Sequence, residues 1–233
     1  MSESDSNILQ IAIADAATYQ NFEVPYNLND FIMQQHLYNA AIKEIMTKLE
    51  ILDDEFHVKY DHNPIHHIEF RLKTAKSIIE KLNRKNLEVS LDSIKNHLTD
   101  VAGIRVICNY LDDINKIADL LIKQDDLTLL RKRDYIETPK ENGYRSLHLV
   151  LQVPIYLAET VEKVSVEIQI RTLGMDLWAS LEHQLKYKQK NEVTDDIRNR
   201  LTACSATISK VDSEMQSIYQ DLKQLHDSDN AME

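Results

Sequence analysis

The chain has 233 residues, 43% hydrophobic and 28% charged, which gives one large domain, or one domain with helical extensions, around a real core. Its formal net charge of −11 argues against general affinity for nucleic acid, which needs a basic face, but leaves room for a local basic pocket around a polyanionic small ligand. The acidic start Met1-Ser-Glu-Ser-Asp5 lacks the parts of a secretory signal, no stretch approaches a membrane span, and the two cysteines have no paired spacing, so a cytoplasmic protein is expected.

Residues 1–29 read as a flexible segment with a break at Pro25, followed by a helical extension over 30–63. Within that extension Tyr38, Ile42, Ile45, Leu49, Leu52 and Phe56 step by four and three, a helical stripe. The polar run from His57 to Pro64 predicts a loop. In Arg71-Leu-Lys73-Thr74-Ala-Lys-Ser77, Thr74 suits a helix N-cap. Arg71 and Lys73 then lie in extended chain facing one way, and Ser77 and Lys81 sit near a helix N-terminus that favours anions. A helix that began at His66 would instead send Arg71 and Lys73 apart. Val101 to Asn109 reads as a strand and Asp112 to Lys123 as a short helix. Leu127 to Ile136 and Leu147 to Val153 read as strands joined through Pro139 and the Asn142-Gly143 turn signal. Val164, Val166, Ile168 and Ile170 then alternate with Ser165, Glu167, Gln169 and Arg171, a strand with one apolar and one functional face. A helix from Leu173 to Gln189 covers the sheet. In the final segment Leu201, Cys204, Ile208, Val211, Met215, Ile218, Leu222 and Leu225 form a heptad seam. That seam either packs on its own domain or makes a subunit contact with the matching stripe of the first helix. The residues after His226 read as a disordered tail.

Chemistry gathers where the glycines are. There are three, in Asp100-Val-Ala-Gly103-Ile-Arg105, Glu141-Asn-Gly143-Tyr144-Arg145-Ser-Leu-His148 and Glu167-Ile-Gln169-Ile-Arg171-Thr-Leu-Gly174, each beside acids, arginines or a tyrosine expected to be exposed. Flexible backbone is therefore expected at reactive positions. Glu167 and Arg171 on one strand face read as a metal-binding or proton-accepting carboxylate beside a phosphate-binding guanidinium, or else as a solvated face. Asp100 alone would be a turn aspartate. Paired with Glu167 it becomes a candidate Mg2+ ligand, because magnesium takes one or two carboxylates and completes its shell with water and substrate phosphates. Arg131, Lys132, Arg133, Lys140, Arg145 and His148 surround the central hairpin, and Tyr144 beside Gly143 offers a ring on which a base can stack.

Taken together, Arg71-Leu-Lys73, Asp100-Val-Ala-Gly-Ile-Arg105, Asn142-Gly-Tyr-Arg-Ser-Leu-His148, Glu167-Ile-Gln-Ile-Arg-Thr172 and Trp178-Ala-Ser-Leu-Glu182-His183 resemble the RelA/SpoT-type alarmone synthetases. The spacing is similar to that of the small, single-domain members of the RelP and RelQ kind, and Gly174-Met-Asp-Leu-Trp178 leans to RelP. The resemblance covers residues 64–190, with 191–233 left as an oligomerisation helix and tail. It implies an α/β (α+β) fold, a mixed β-sheet flanked by helices like that of the nucleotidyltransferases. It also implies transfer of the β,γ-pyrophosphate of ATP to the 3′-hydroxyl of GDP or GTP, with AMP and guanosine tetra- or pentaphosphate as products and no hydrolase activity. Arg71 and Arg105 would sandwich the adenine, and Lys73, Ser77 and Lys81 would hold ATP phosphates. Asp100 and Glu167 would hold Mg2+, with Glu167 also activating the hydroxyl. Tyr144 would stack on guanine; Arg133, Lys140, His148 and Gln169 would bind the guanosine nucleotide. Asp176 stands where RelQ-like members carry asparagine, and its carboxylate could accept from the guanine N1–H and 2-amino group. A homo-oligomer, by resemblance a tetramer, is implied. The competing readings are a catalytically silent nucleotide-binding regulator of the same fold, an RNA-binding protein using the basic hairpin, which is at most a secondary role, and a helical scaffold.

Overall fold

The computed structural model describes residues 28–188 and 194–230. The N-terminal segment, including Pro25, lies outside the described residues. In chain order the elements are α1 (Leu28–Lys59), β1 (Ile65–Leu72), α2 (Ala75–Arg84), α3 (Leu91–His97), β2 (Ala102–Cys108), α4 (Leu111–Ile122), β3 (Thr128–Asp134), β4 (Leu147–Tyr156), β5 (Val161–Thr172), α5 (Leu173–Lys188) and α6 (Asp195–Asn230). The strands form one five-stranded mixed sheet in the order β1-β2-β5-β4-β3. β2 and β5 run parallel, and every other pair is antiparallel.

Each face of the sheet has its own chemistry. Val166, Ile168 and Ile170 of β5, with Ile104, Val106, Leu149 and Leu151, are at most 2% exposed. They join α1 and α4 in a single core. The α1 stripe supplies Tyr38, Ile42, Ile45, Leu49 and Phe56, all at most 5% exposed. This corrects the subunit-contact reading of that stripe: its apolar positions are spent inside the domain. α1 also runs on to Lys59, so the loop expected from His57 shrinks to residues 60–64. Thr74 caps α2 as expected, its side chain accepting from the Ser77 amide. β1 and α3 are the elements that the pattern left unnamed. β1 is an edge strand with mostly half-buried or exposed positions, and α3 has seven residues of which Ile94 is the buried one, so neither carries a clear periodic signal.

α6 docks on the domain through a polar stripe joined by Ile208 of the seam, while the seam from Val211 onward faces out. Ser205 and Gln216 are buried, whereas Val211, Met215, Ile218, Leu222 and Leu225 are 44–64% exposed. The inner stripe is polar and specific. The Trp178 indole donates to Leu201 O at 2.9 Å, Thr172 Oγ1 donates to Asp212 Oδ2 at 2.8 Å, and Gln216 Nε2 donates to Asp112 Oδ2 at 2.8 Å. Tyr219 stacks on Tyr110 with ring centroids 4.3 Å apart. The helix runs to Asn230, past His226 where the sequence suggested a tail. Two glycines make room for it. Gly143 has φ +90°, and a Cβ there would lie 2.8 Å from Ser205 Cβ. A Cβ on Gly174 would lie 2.7 Å from Ile208 Cγ2 and 2.8 Å from Asp212 Oδ1. These glycines serve helix docking, a correction to their reading as flexible points for chemistry. Among the described residues no helix is long and apolar enough to cross a membrane.

Gly174→Ala is expected to lower the thermal unfolding midpoint, since an added methyl against Ile208 and Asp212 overpacks the α5–α6 contact by about 1–3 kcal/mol. A melt followed by circular dichroism checks it, and an unchanged midpoint would show that α6 does not sit this close.

Candidate active site

The polar face of the sheet is set by register. Glu69 on β1 pairs with Arg105 on β2, Arg105 with Gln169 on β5, Gln169 with His148 on β4, and His148 with Arg133 on β3. One row of functional side chains thus crosses all five strands. In a neighbouring row, Arg71 pairs with Gly103 and Gly103 with Glu167. The absent side chain at Gly103 leaves the floor between Arg71 and Glu167 open.

Two cavities lie over these rows. The smaller, about 140 Å³, is walled by Arg71, Lys73, Arg105 and Phe70. The larger, about 730 Å³, takes in Lys81, Arg133, Lys140, Tyr144, His148 and Arg171. Asp100, Glu167 and Gln169 line both. The two acids, 67 positions apart in sequence, therefore meet at the junction of two cation-lined spaces.

Asp100 sits just before β2, where the Lys73 amide donates to Val101 O at 2.8 Å and brings the chain after β1 alongside. Its Oδ2 accepts from Lys73 Nζ at 2.6 Å and from Lys81 Nζ at 2.5 Å. Oδ1 is buried without a hydrogen-bond partner. Burial pushes the Asp100 carboxyl up, but the hydrogen bonds and charges of the two lysines outweigh it and leave it below the ordinary value. Glu167 follows the same logic. Burial raises it and the Asp100 charge adds to that, yet the nearby His148 ring and the Gln169 hydrogen bond hold it below the ordinary value. Gln169 Nε2 donates to Glu167 Oε2 at 3.0 Å, and His148 Nδ1 is 3.7 Å from Oε1. Both acids are therefore ionised at neutral pH.

Arg171 differs from its sequence reading. Its residue is 3% exposed, and its guanidinium is committed to protein. Nε donates to Ser146 Oγ at 3.4 Å, Nη1 to Asp176 Oδ1 at 3.0 Å, and Nη2 to Tyr144 Oη and Gln169 Oε1, each at 2.6 Å. It holds the cavity wall together instead of offering itself to phosphate. Tyr144 is half-buried rather than exposed. Its hydroxyl also lies 2.8 Å from His148 Nε2, with Lys140 Nζ 4.6 Å and Arg171 Cζ 5.1 Å from its ring centroid.

Of the other basic residues around the hairpin, Arg131 lines the larger cavity and is tethered to Thr99 Oγ1 at 3.0 Å. Lys132 has the opposite strand parity. Arg145 turns away, donating to Ile136 O at 2.9 Å and lining a small crevice beneath α6. Ser77 is on neither cavity wall; its hydroxyl accepts from Thr74 Oγ1 at 3.0 Å. Asp176, in the first turn of α5, is on neither wall, and its Oδ1 faces Arg171 and Arg105. Tyr135 and Lys85 line the larger cavity without having been singled out. Tyr135 was findable, since it shares the parity of Arg131 and Arg133. Lys85 follows the end of α2, where no strand or helix pattern points.

Residues 70–192 match the family described as a region found in RelA / SpoT proteins, a span that holds every residue on the two cavity walls except Glu69. The chain is 39% identical over 191 residues to GTP pyrophosphokinase YwaC of Bacillus subtilis, covering 82% of this chain and 91% of that one. Its fold is similar to the crystal structure of small alarmone synthetase 1 from Bacillus subtilis bound to its product pppGpp, with TM-score 0.74 and 38% identity over 79% of this chain and 93% of that one. The same synthetase bound to AMPCPP gives TM-score 0.71 and 33% identity over 84% of this chain and 99% of that one. A shared sequence span, a shared fold and a conserved length lead to one conclusion: this chain belongs to the RelA/SpoT family, among the small alarmone synthetases.

Proposed function

We propose that this protein is a GTP/GDP pyrophosphokinase that transfers the β,γ-pyrophosphate of ATP to the ribose 3′-hydroxyl of GDP or GTP, releasing AMP and forming (p)ppGpp. One observation carries the reading: Asp100 and Glu167 lie where two cation-lined cavities meet, so a nucleotide in each would present its reacting end to the same two acids. The relatives' named activity and the pppGpp and AMPCPP bound to the synthetase of the same fold support it.

In this reading ATP takes the smaller cavity. Arg71 and Arg105 flank the adenine, where planar, permanently charged guanidinium groups suit stacking. Lys73 and Lys81, now on Asp100, turn to the ATP phosphates, with Ser77 near them at the α2 N-terminus. The guanosine nucleotide takes the larger cavity, with Arg133, Lys140 and His148 on its phosphates and Gln169 in the wall. Guanine stacks on Tyr144 in place of the Lys140 ammonium. The donor set fits a magnesium ion, since Oδ1 of ionised Asp100 is buried and unpartnered beside ionised Glu167. Asp100 and Glu167 would hold it, and when bound it supplies charge neutralisation on the transferred pyrophosphate. Glu167 receives the proton as the 3′-oxygen bonds to the β-phosphorus; the bond from that phosphorus to the α-bridging oxygen breaks, and AMP leaves with the oxygen. The cations of the two cavities hold attacking and leaving groups in line.

Residues 64–190 form the synthetase unit, and the outer face of α6 is the oligomerisation surface. Val211, Met215, Ile218, Leu222 and Leu225 there, with Leu173, Leu177, Leu181 and Leu185 along α5, are 44–64% exposed. Two adjoining apolar stripes on one chain suit a copy of the same surface, and a tetramer agrees with them.

Three outcomes are expected. Glu167→Gln lowers the yield of guanosine tetraphosphate from ATP and GDP by about 10²–10⁴-fold while both nucleotides still bind; chromatography of the nucleotides and calorimetry check this, and undiminished synthesis would remove Glu167 from the chemistry. In NMR pH titrations the Asp100 and Glu167 carboxyls titrate below their ordinary values of about 3.9 and 4.3, and Asp100→Asn moves Glu167 lower still, because a repelling charge is gone. Met215→Glu with Ile218→Glu lowers the mass seen in light scattering without unfolding the protein, since neither side chain belongs to the stripe that docks α6. An unchanged mass would exclude the α6 face.

A further inference from the structure

Asp176 stands between the two cavities without lining either. Its Oδ1 is 3.0 Å from Arg171 Nη1 and 3.5 Å from Arg105 Nη1. The two guanidinium groups serve different spaces. Arg105 walls the smaller cavity, and Arg171 walls the larger, where it grips Tyr144 and Gln169. Arg105 is held loosely by comparison. Its Nη1 divides between Glu69 Oε2 at 2.9 Å and Asp176, and its Nε is buried without a partner. Arg171 is a buried charge that needs a counter-ion, and Asp176 is the carboxylate paired with it.

We infer that Asp176 couples occupancy of the two cavities, so that a purine nucleotide bound at Arg105 strengthens binding of the second nucleotide at Tyr144 and Gln169. This rests on the two-nucleotide reading proposed above. The reasoning is mechanical. A base stacked on Arg105 fixes a guanidinium that otherwise divides its contacts between two carboxylates. That fixes Asp176, and Asp176 fixes Arg171, which sets the Tyr144 ring and the Gln169 amide. The ordering cost of the second site is then partly met before its ligand arrives. Linkage requires the effect to be equal in both directions. Asp176 is a positioning residue, since it acts through the two arginines. An asparagine here would keep the shape and lose the charge that both arginines share, which gives the aspartate of this chain a physical meaning beyond recognition of a base.

The test uses an ATP analogue with a methylene between the α- and β-phosphorus, which blocks the bond that breaks and lets both nucleotides bind without reaction. Calorimetry measures GDP affinity with and without saturating analogue, and analogue affinity with and without GDP. The wild-type protein is expected to show a coupling factor of about fivefold or more, the same in both directions, and Asp176→Asn a factor near one. A merely structural role would weaken both affinities and leave their ratio intact. Arg105→Met reads the same link while keeping the buried Arg171–Asp176 pair: its analogue affinity falls, and analogue raised to saturation no longer strengthens GDP binding. Glu69→Gln, which removes the charge that competes with Asp176 for Arg105, retains the coupling. Coupling undiminished in Asp176→Asn or Arg105→Met, or absent from the wild type, overturns the inference. Failure of the functional reading itself is separate: the wild type would make no AMP and guanosine tetraphosphate from ATP and GDP.

Discussion

The register between the parallel strands β2 and β5 governs the rest of this molecule. It puts Gly103 opposite Glu167 and Arg105 opposite Gln169, and β4 adds His148 opposite Gln169. Because side chains alternate, a slip of one residue would exchange Glu167, Gln169 and Arg171 for Val166, Ile168 and Ile170. Burial prevents this. The apolar set sits against α1 and α4 at no exposure at all, and the polar set could not replace it without stranding charge in the core. The same apolar residues that hold the domain together therefore aim the functional row at solvent.

Charge is balanced by local pairs instead of by a broad basic field. The chain is acidic overall, at −11, yet the two cavities collect lysines, arginines and two histidines around Asp100 and Glu167. Lys73 and Lys81 close on Asp100, and His148 and Gln169 approach Glu167. These contacts keep both acids ionised against their burial. They also keep the cations near the places where phosphates would need them, so little has to move when an anionic ligand replaces a carboxylate as their partner.

The C-terminal helix is part of the domain on one side and exposed on the other. Its inner stripe uses hydrogen bonds, close glycine contacts and one aromatic stack, whereas its apolar seam from Val211 onward points outward. This division explains why hydrophobic spacing alone misplaced the docking face. A polar inner stripe leaves no periodic apolar signal, and an apolar outer stripe leaves a strong one.

The sequence by itself carried the strand alternation, the functional face of β5, the cap at Thr74 and the identity of most cavity residues, and the resemblance of its motifs implied the mixed sheet. Alternation and motif order are local properties, and they survive folding because burial enforces them. It also supplied the pair Asp100 and Glu167, through the chemistry of the residue types and the resemblance of their motifs. What only the tertiary structure decided were the partners. Arg171, read as a free phosphate ligand, is enclosed by Ser146, Asp176, Tyr144 and Gln169. Arg145 leaves the site, the first-helix stripe goes into the core, and two glycines admit α6. A side chain's type and strand parity are written along the chain, but which charge neutralises it depends on groups brought from distant segments, and that is settled only when the segments pack.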